Sequence, residues 1–170
     1  VTTITFYVFS TENWTRSTDE VNFLMDLFYT EMKKNLKNAL DKNLRYRVIG
    51  SRDRLPKKLA NMCDKLEEQS AENTAGTVVF ALNYGGQQEI VNATKKFAVA
   101  YKNGEVDLDS LNPQVFSKYL YFDDLGTVDL IIRPSGELRL SNFLLWQSAY
   151  SEFWFSDVLW PDFKPEHLEQ

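Results

Sequence analysis

Two arginines follow one apolar run in the last third of the chain. The run Leu130–Ile132 has the composition of a buried strand, and Arg133 comes directly after it. Pro134–Gly136 then interrupts regular structure before the second arginine, Arg139. An arginine that follows a strand commonly forms only a surface ion pair. Two of them around a glycine turn favour a ligand with several phosphate oxygens, because guanidinium groups grip such oxygens in pairs.

A hydroxyl group and a helix start are predicted immediately after these arginines. Ser141 and Asn142 precede the aromatic and aliphatic segment Phe143–Tyr150, as helix-capping residues do. A Ser-Asn pair at such a place is often no more than a cap. Because a helix N-terminus also favours an anion, the whole stretch predicts a diphosphate site beyond the end of a strand.

A second polar cluster, Ser10–Arg16, follows the first predicted strand, Val1–Phe9. The cluster contains hydroxyl, carboxylate, amide, indole and guanidinium groups within a few residues. As a structural loop it would be unremarkable. It stands, however, at the carboxyl end of a strand, where open α/β sheets bind their ligands.

Composition excludes several kinds of protein. The chain has 170 residues, 44% of them hydrophobic, which favours one globular domain with a sizeable core. The net charge is −5, which argues against a nucleic-acid partner and leaves anion binding to local arginines. The single histidine, His167, excludes histidine-based triads and multi-histidine metal sites within these residues. The single cysteine, Cys63, excludes an internal disulfide and has the spacing of a core residue.

Strand-forming and helix-forming segments alternate along the chain. We predict strands over Val1–Phe9, Tyr46–Ile49, Thr77–Leu82, Val128–Ile132 and Glu152–Ser156. We predict helices from Ser17 to about Asn43, over Pro56–Gln69, from Gln87 or Gln88 to about Lys102, over Pro113–Leu120 and over Asn142–Tyr150. This order predicts an α/β fold, with a mainly parallel sheet flanked by helices in a single domain over residues 1–170.

The long first helix carries an apolar stripe at three- and four-residue spacing. Its members are Val21, Leu24, Met25, Phe28, Met32, Leu36, Ala39 and Leu40. Such a stripe usually packs in a core, but it could also line a tunnel for an apolar ligand. The turn Asn83–Gly86 after the third strand would let the backbone approach a ligand closely. Neither a dinucleotide-binding nor a P-loop glycine motif is present, and no apolar run is long enough to span a membrane.

Three segments resemble the cis-prenyltransferases, and most closely the bacterial undecaprenyl diphosphate synthases. They are FSTENWTR at Phe9–Arg16, NYGG at Asn83–Gly86, and IRPSGELRLSNFLLWQSAYSEFWFSDVLWPDF at Ile132–Phe163. The third segment is long and specific. The resemblance implies an α/β fold with an apolar tunnel, a cytoplasmic homodimer peripheral to the membrane, and magnesium as cofactor. It also implies a prenyltransferase that condenses isopentenyl diphosphate with farnesyl diphosphate to make undecaprenyl diphosphate, a lipid carrier for cell-wall synthesis.

The same resemblance assigns roles to individual residues. Residues expected to bind substrate are Ser10, Thr11, Glu12, Trp14, Arg16, Arg133, Arg139, Leu140 and Ser141, of which the last four would hold the diphosphate of isopentenyl diphosphate. Asn13 matches a residue credited with accepting the proton, although a neutral amide accepts protons poorly and would suit orientation better. Glu152 matches a magnesium ligand.

The resemblance also implies what these residues alone should lack. The family's N-terminal Asp-Gly-Asn-Gly-Arg segment, with its essential magnesium-binding aspartate, and its C-terminal tail are not among the 170 residues. We therefore expect the chain as written to be inactive. Gln87 and Pro134 stand where arginine and threonine are common. Two alternatives are a non-catalytic prenyl-binding scaffold subunit of a cis-prenyltransferase complex and an unrelated α/β phosphate-binding module.

Overall fold

The structure, a computed structural model, describes residues 1–121 and 123–168, apart from the side chain of Leu40. The predicted place of Leu40 in the apolar stripe therefore lies outside the described residues. The described residues form five strands: β1 (Thr3–Ser10), β2 (Leu44–Ile49), β3 (Gly76–Tyr84), β4 (Leu130–Arg133) and β5 (Glu152–Phe155). Within the same residues there are four α-helices: α1 (Thr18–Lys42), α2 (Lys57–Ser70), α3 (Gly86–Lys102) and α4 (Pro113–Ser117).

Every strand pairing is parallel, which confirms the predicted α/β class. The strands form a three-stranded sheet in the order β1-β3-β2 and a two-stranded sheet of β4 and β5. The chain divides into two compact units, Val1–Ala93 and Thr94–Gln170, and each is described by itself. Among the described residues, no helix combines the length and the apolar character needed to cross a membrane.

In the first unit, α1 and α2 pack against each other and their apolar faces are buried. Four members of the predicted α1 stripe lie in the core, and Leu24, Phe28 and Leu36 pack partly buried against it. Cys63 is fully buried, and this burial raises the pKa of its thiol to about 11. A thiol in that state packs as a small apolar group, as its helical spacing predicts.

Local capping explains why α1 begins and ends where the sequence predicts. The hydroxyl of Ser17 accepts a hydrogen bond from the backbone N–H of Glu20 at 3.3 Å. At the other end, Asn43 adopts the left-handed conformation (φ 53°) and donates its backbone N–H to the carbonyl of Ala39. Both ends depend on residues adjacent in sequence, so the pattern predicts them well.

The outer edge of β2 is covered by side chains. The N–H of Tyr46 donates to the hydroxyl of Ser70 at 2.9 Å, and the N–H of Val48 donates to the carboxylate of Glu67 at 3.0 Å. The side chain of Arg52 donates to the carbonyl of Val48 at 3.1 Å. A further donor, the amide of Asn73, reaches the carbonyl of Leu44 at 2.8 Å. These bonds satisfy backbone groups that an edge strand would otherwise leave to water.

In the second unit, the predicted helix over Asn142–Tyr150 is wrong, because residues 141–150 form a succession of turns. Ser141, Asn142 and Leu144 have φ values of 49°, 64° and 45°. Those values belong to the left-handed region, which a right-handed helix cannot include. Leu144 is buried, and the indole N–H of Trp146 donates to the hydroxyl of Ser117 in α4 at 3.0 Å. Packing of this kind overrides the helix preference that the composition suggests.

Candidate diphosphate-binding site

The carboxyl ends of β1 and β3 lie side by side in the first unit. Ser10 is in register with Tyr84, after two irregularities in the pairing between Tyr7 and Ser10. Irregular pairing of this kind redirects side chains at the end of a strand and is common beside binding sites. The first predicted cluster, Ser10–Arg16, starts at this point.

A 3-10 helix over Thr11–Thr15 holds the cluster in a compact form. The side-chain oxygen of Asn13 accepts a hydrogen bond from the backbone N–H of Ser10 at 2.9 Å. The hydroxyl of Thr15 donates to the carbonyl of Glu12 at 2.8 Å. Because the oxygen of Asn13 already has a backbone donor, its NH2 group is the part of the side chain that can meet a substrate.

Trp14 is fixed by contacts on several sides. Its indole N–H donates to the side-chain oxygen of Asn83 at 2.7 Å. Its ring meets Phe9 edge to face at 5.2 Å between centroids, and Phe9 in turn meets Phe28 at 6.1 Å. The ring of Trp14 therefore extends an apolar cluster that begins in the core.

Asn83 connects the ends of all three strands in this unit. It is 5% exposed, has a left-handed backbone (φ 50°), and lies at the end of β3 rather than in a turn. Its NH2 group donates to the carbonyls of Ser51 at 3.0 Å and Asp53 at 2.7 Å, in the loop after β2. Together with the bond from Trp14, this arrangement makes Asn83 a clamp on the loops that follow β1 and β2. The sequence predicts a close backbone approach here but not the part played by the side chain.

The remaining members of the first cluster face solvent to different degrees. Thr11 is partly buried, whereas Glu12 and Arg16 are exposed. Arg16 forms an ion pair with Glu20, one helical turn along the chain. An exposed pair of this kind contributes little to stability, so a phosphate group can take over the guanidinium at small cost.

Arg54 is a candidate that the sequence pattern did not indicate. Its guanidinium carbon lies 4.4 Å from the centroid of the Trp14 ring. The only available signal was its place soon after β2, since carboxyl ends of parallel strands meet at one edge of a sheet. Without the structure, nothing separates it from the neighbouring Arg52, which instead pairs with Glu67 at 2.6 Å and with Asp64 at 3.2 Å.

In the second unit, Arg133 is the last residue of β4 and is partly buried. Within the described residues its side chain forms no ion pair and no hydrogen bond. Its backbone carbonyl accepts the N–H of Ser156 at 3.0 Å, which fixes the strand end beside β5. A partly buried guanidinium without a carboxylate is costly, and a bound anion would remove that cost.

The loop after Arg133 is anchored at its base. The N–H of Ser135 donates to the carbonyl of Val158 at 2.8 Å, and the N–H of Gly136 donates to the carbonyl of Ser156 at 2.9 Å. Gly136 has φ 70°, and a Cβ there would meet the carboxylate of Asp157 at 3.3 Å. Glycine adopts this φ without strain, whereas a residue with a Cβ would be strained there.

The tip of this loop carries the other expected ligands of isopentenyl diphosphate. Arg139 is exposed and pairs with Glu137. Leu140 accepts the N–H of Phe143 at 3.1 Å through its backbone carbonyl. Ser141 has a left-handed backbone and is not a helix cap, so no helix N-terminus stands here to bind an anion. The case for a diphosphate in this unit therefore rests on Arg133 and Arg139.

Glu152 begins β5 in the same unit and is exposed. It is in register with Leu130, and its backbone N–H donates to the carbonyl of Asp129 at 2.8 Å. The side chain of Glu152 pairs with no cation in the part of the chain that the structure describes. The expected residues thus fall into two groups, residues 10–16 in the first unit and residues 133–152 in the second.

Comparison with known proteins decides the family. The family model described as "Putative undecaprenyl diphosphate synthase" matches residues 1–170, the whole of the chain. The chain belongs to the undecaprenyl diphosphate synthase family. The resemblance carried by the three sequence segments is thereby confirmed.

One relative of this chain is an isoprenyl transferase from Halalkalibacterium halodurans. It is 45% identical over 98% of this chain and 65% of its own length. A ditrans,polycis-undecaprenyl-diphosphate synthase of Micrococcus luteus, described as (2E,6E)-farnesyl-diphosphate specific, is 46% identical over 98% of this chain and 67% of its own length. The chain thus spans 65% of the length of the first of these relatives.

Two solved structures share the fold of this chain. Lavandulyl diphosphate synthase from Lavandula x intermedia, in complex with dimethylallyl diphosphate, superposes with a TM-score of 0.94 and 32% identity, over 99% of this chain and 73% of that one. A probable undecaprenyl diphosphate synthase from Campylobacter jejuni superposes with a TM-score of 0.87 and 32% identity, over 99% and 77%. These likenesses confirm the predicted fold class.

Proposed function

We propose that the protein containing this chain elongates prenyl chains with cis geometry. Isopentenyl diphosphate would be condensed repeatedly with farnesyl diphosphate to give undecaprenyl diphosphate, a lipid carrier for cell-wall synthesis. Family membership and relatives named isoprenyl transferase support this reaction class. The observation that carries it is Arg133, a partly buried guanidinium without a protein partner among the described residues.

In this proposal Arg133 and Arg139 hold the diphosphate of isopentenyl diphosphate. Arg133 would bind without giving up a side-chain hydrogen bond or ion pair to any described residue, whereas Arg139 would first leave Glu137. The hydroxyl of Ser141 and the backbone at Leu140 would add polar contacts at the loop tip. The anchored base at Ser135 and Gly136 keeps the strand end and the start of the loop in place while the tip adjusts.

The chemical step breaks the allylic carbon–oxygen bond, and its electron pair leaves with the diphosphate. The double bond of isopentenyl diphosphate supplies the electrons of the new carbon–carbon bond, and loss of a proton restores a double bond. Positive side chains favour the step because they stabilise charge that develops on the leaving oxygens. Asn13 would orient the substrate through its NH2 group, and a diphosphate oxygen would take the proton.

Magnesium fits this site as an ion held mainly by substrate. Among the described residues, no group of three or more histidine, cysteine, aspartate or glutamate side chains could hold a metal. The exposed carboxylate of Glu152 suits Mg²⁺, which binds one or two carboxylates together with phosphate oxygens and waters. Bound there, the ion would neutralise charge on the diphosphate.

The full-length protein would act as a homodimer that delivers its product to the membrane. Exposed aromatic and aliphatic side chains in the second unit support self-association: Leu138, Tyr150, Phe153, Phe155, Leu159 and Trp160. The polyprenyl product is apolar except for its diphosphate, so it would pass to a bilayer rather than to water.

An elongation assay tests the reaction. The full-length protein would be incubated with farnesyl diphosphate, labelled isopentenyl diphosphate and Mg²⁺, and the products resolved by chain length. We expect polyprenyl diphosphates that grow by five-carbon units. A protein that forms no product alone, but raises the yield of a partner synthase, would instead be the scaffold subunit.

A further inference from the structure

Arg54 lies on the ring of Trp14, and its guanidinium N–H groups have no hydrogen-bond partner among the described residues. Its guanidinium carbon lies 4.4 Å from the ring centroid, within the range of a cation–π contact. The side chain is exposed, and it forms no ion pair or hydrogen bond with any other residue that the structure describes. An arginine held by an aromatic ring keeps its planar fork of N–H groups for another partner.

The backbone around Arg54 is fixed on both sides. Asp53 accepts a hydrogen bond from the NH2 group of Asn83 at 2.7 Å, and the neighbouring Leu55 is buried. Arg54 itself has a left-handed backbone (φ 68°), which makes the loop turn sharply at this residue. Since Asn83 also binds the indole of Trp14, one buried side chain positions both the arginine and the ring beneath it.

The surroundings of Trp14 combine a positive charge with an apolar surface. Arg54 supplies the charge, and the partly buried rings of Trp14 and Phe28 supply apolar surface around the buried Phe9. A ligand that matches both is an amphiphile with an anionic head and a hydrocarbon tail. Guanidinium groups bind phosphate oxygens in pairs, which favours a diphosphate as the head.

We propose that Arg54, stacked on Trp14, is a further substrate-binding residue. Its guanidinium group binds the diphosphate of the allylic substrate. This inference rests on the proposed function. The allylic substrate is favoured over isopentenyl diphosphate because it carries the longer hydrocarbon chain, and the partly buried rings of Trp14 and Phe28 offer apolar contact.

Binding of two ligands to the full-length protein separates this role from a structural one. The first is farnesyl thiodiphosphate, whose sulfur bridge resists cleavage, and the second is uncharged farnesol. Arg54→Met removes the charge but keeps an unbranched side chain over the ring. We expect it to weaken thiodiphosphate binding about 10- to 100-fold, as loss of charge-assisted hydrogen bonds does, and to leave farnesol binding unchanged. Arg54→Lys should lie between, because it keeps the charge without the fork.

Lys57→Met is the matched control, since it removes one exposed positive charge from the nearby start of α2. It should change neither affinity by more than about twofold, as expected of a screened surface charge. Equal losses for both ligands in Arg54→Met would make Arg54 only a support for Trp14 and overturn the proposal. So would an unchanged thiodiphosphate affinity. An inactive parent enzyme that binds thiodiphosphate contradicts the proposed function alone, whereas a parent that binds neither ligand contradicts both proposals.

Discussion

Arg133 and Arg139 are the same residue type in different surroundings. Arg133 is partly buried at the end of a strand and has no protein partner among the described residues, whereas Arg139 is exposed and paired with Glu137. A bound diphosphate would replace the hydration that Arg133 has lost on burial. At Arg139 it would only replace the carboxylate of Glu137. The two side chains should therefore contribute unequally to binding.

We expect Arg133→Ala to reduce kcat/KM for isopentenyl diphosphate more than Arg139→Ala does in the full-length enzyme. Loss of a charge-assisted contact at Arg133 should lower kcat/KM for isopentenyl diphosphate, by a factor that corresponds to about 1.5–3 kcal/mol of lost transition-state stabilisation. The loss for Arg139→Ala should be smaller, because in the parent enzyme Arg139 must give up its ion pair with Glu137 before it can bind the diphosphate. Steady-state kinetics with each substrate varied in turn measures both effects, and Lys95→Ala on α3 controls for net charge. Equal kinetics for Arg133→Ala and the parent would remove Arg133 from the site.

The variant Glu152→Gln tests whether Glu152 is a magnesium ligand. Glu152→Gln keeps the shape of the side chain and removes its charge, so it should raise the Mg²⁺ concentration needed for half-maximal activity. The melting temperature should hardly change, because the carboxylate is exposed and unpaired in the described part of the chain. A magnesium titration that overlays the parent curve would show that Glu152 is not a ligand.

Residue types predicted the candidate site only where the role depends on type alone. Two arginines around a glycine turn after a strand favour an anion, so Arg133 could be predicted as an anion ligand from the sequence. The roles of Asn83 and Arg54 depend on contacts with Trp14, which is distant in sequence from both. No periodicity or motif encodes such contacts.

At the scale of elements, Gly50 allows β2 and β3 to end close together. Its φ is 115°, and a Cβ there would lie 2.1 Å from the carbonyl oxygen of Leu82 and 2.9 Å from that of Asn83. Both obstacles are backbone atoms, so a side chain could be accommodated only if the strand ends move apart. The clamp formed by Asn83 would move with them.

We therefore expect Gly50→Ala to destabilise the protein by about 3–5 kcal/mol, from strain and steric overlap together. Gly104→Ala is the matched control. Gly104 also has a positive φ, 73°, but nothing lies within 4 Å of its added Cβ, so it should cost only about 1–2 kcal/mol. Denaturant unfolding of both variants measures the difference. Equal costs would mean that the approach of β2 and β3 imposes no steric limit.

Elements were predicted well where local signals set their ends. The start of α1 follows from the cap at Ser17, and its end follows from the left-handed Asn43. The segment over Phe143–Tyr150 is preceded by a cap-like pair, Ser141 and Asn142, but both residues are left-handed and cap no helix. Its apolar composition suits a buried turn as well as a helix. Left-handed residues and contacts with α4 decide its conformation, and neither is visible in a pattern of apolar positions.

At the scale of the whole molecule, self-association should involve the second unit. Tyr150 is 96% exposed, so Tyr150→Glu should not affect folding of a subunit. If Tyr150 lies in the homodimer interface, a buried charge there should shift the full-length protein toward monomer at micromolar concentration. Leu108→Glu places the same charge on another exposed apolar residue and should not shift it. Sedimentation velocity compares the two, and a dimer unaffected by Tyr150→Glu would exclude this residue from the interface.

The covered outer edge of β2 has a consequence for the exchange of backbone amides with deuterated water. Amides at a sheet edge usually exchange fast, because small local openings of the structure expose them to water. The amides of Tyr46 and Val48 should instead exchange almost as slowly as interior amides of β3. Ser70→Ala should speed exchange of the Tyr46 amide, and Glu67→Ala should speed exchange of the Val48 amide. Each substitution should act mainly on the amide that its side chain bonds. Two side chains of α2 would then set how long each of these amides keeps its proton.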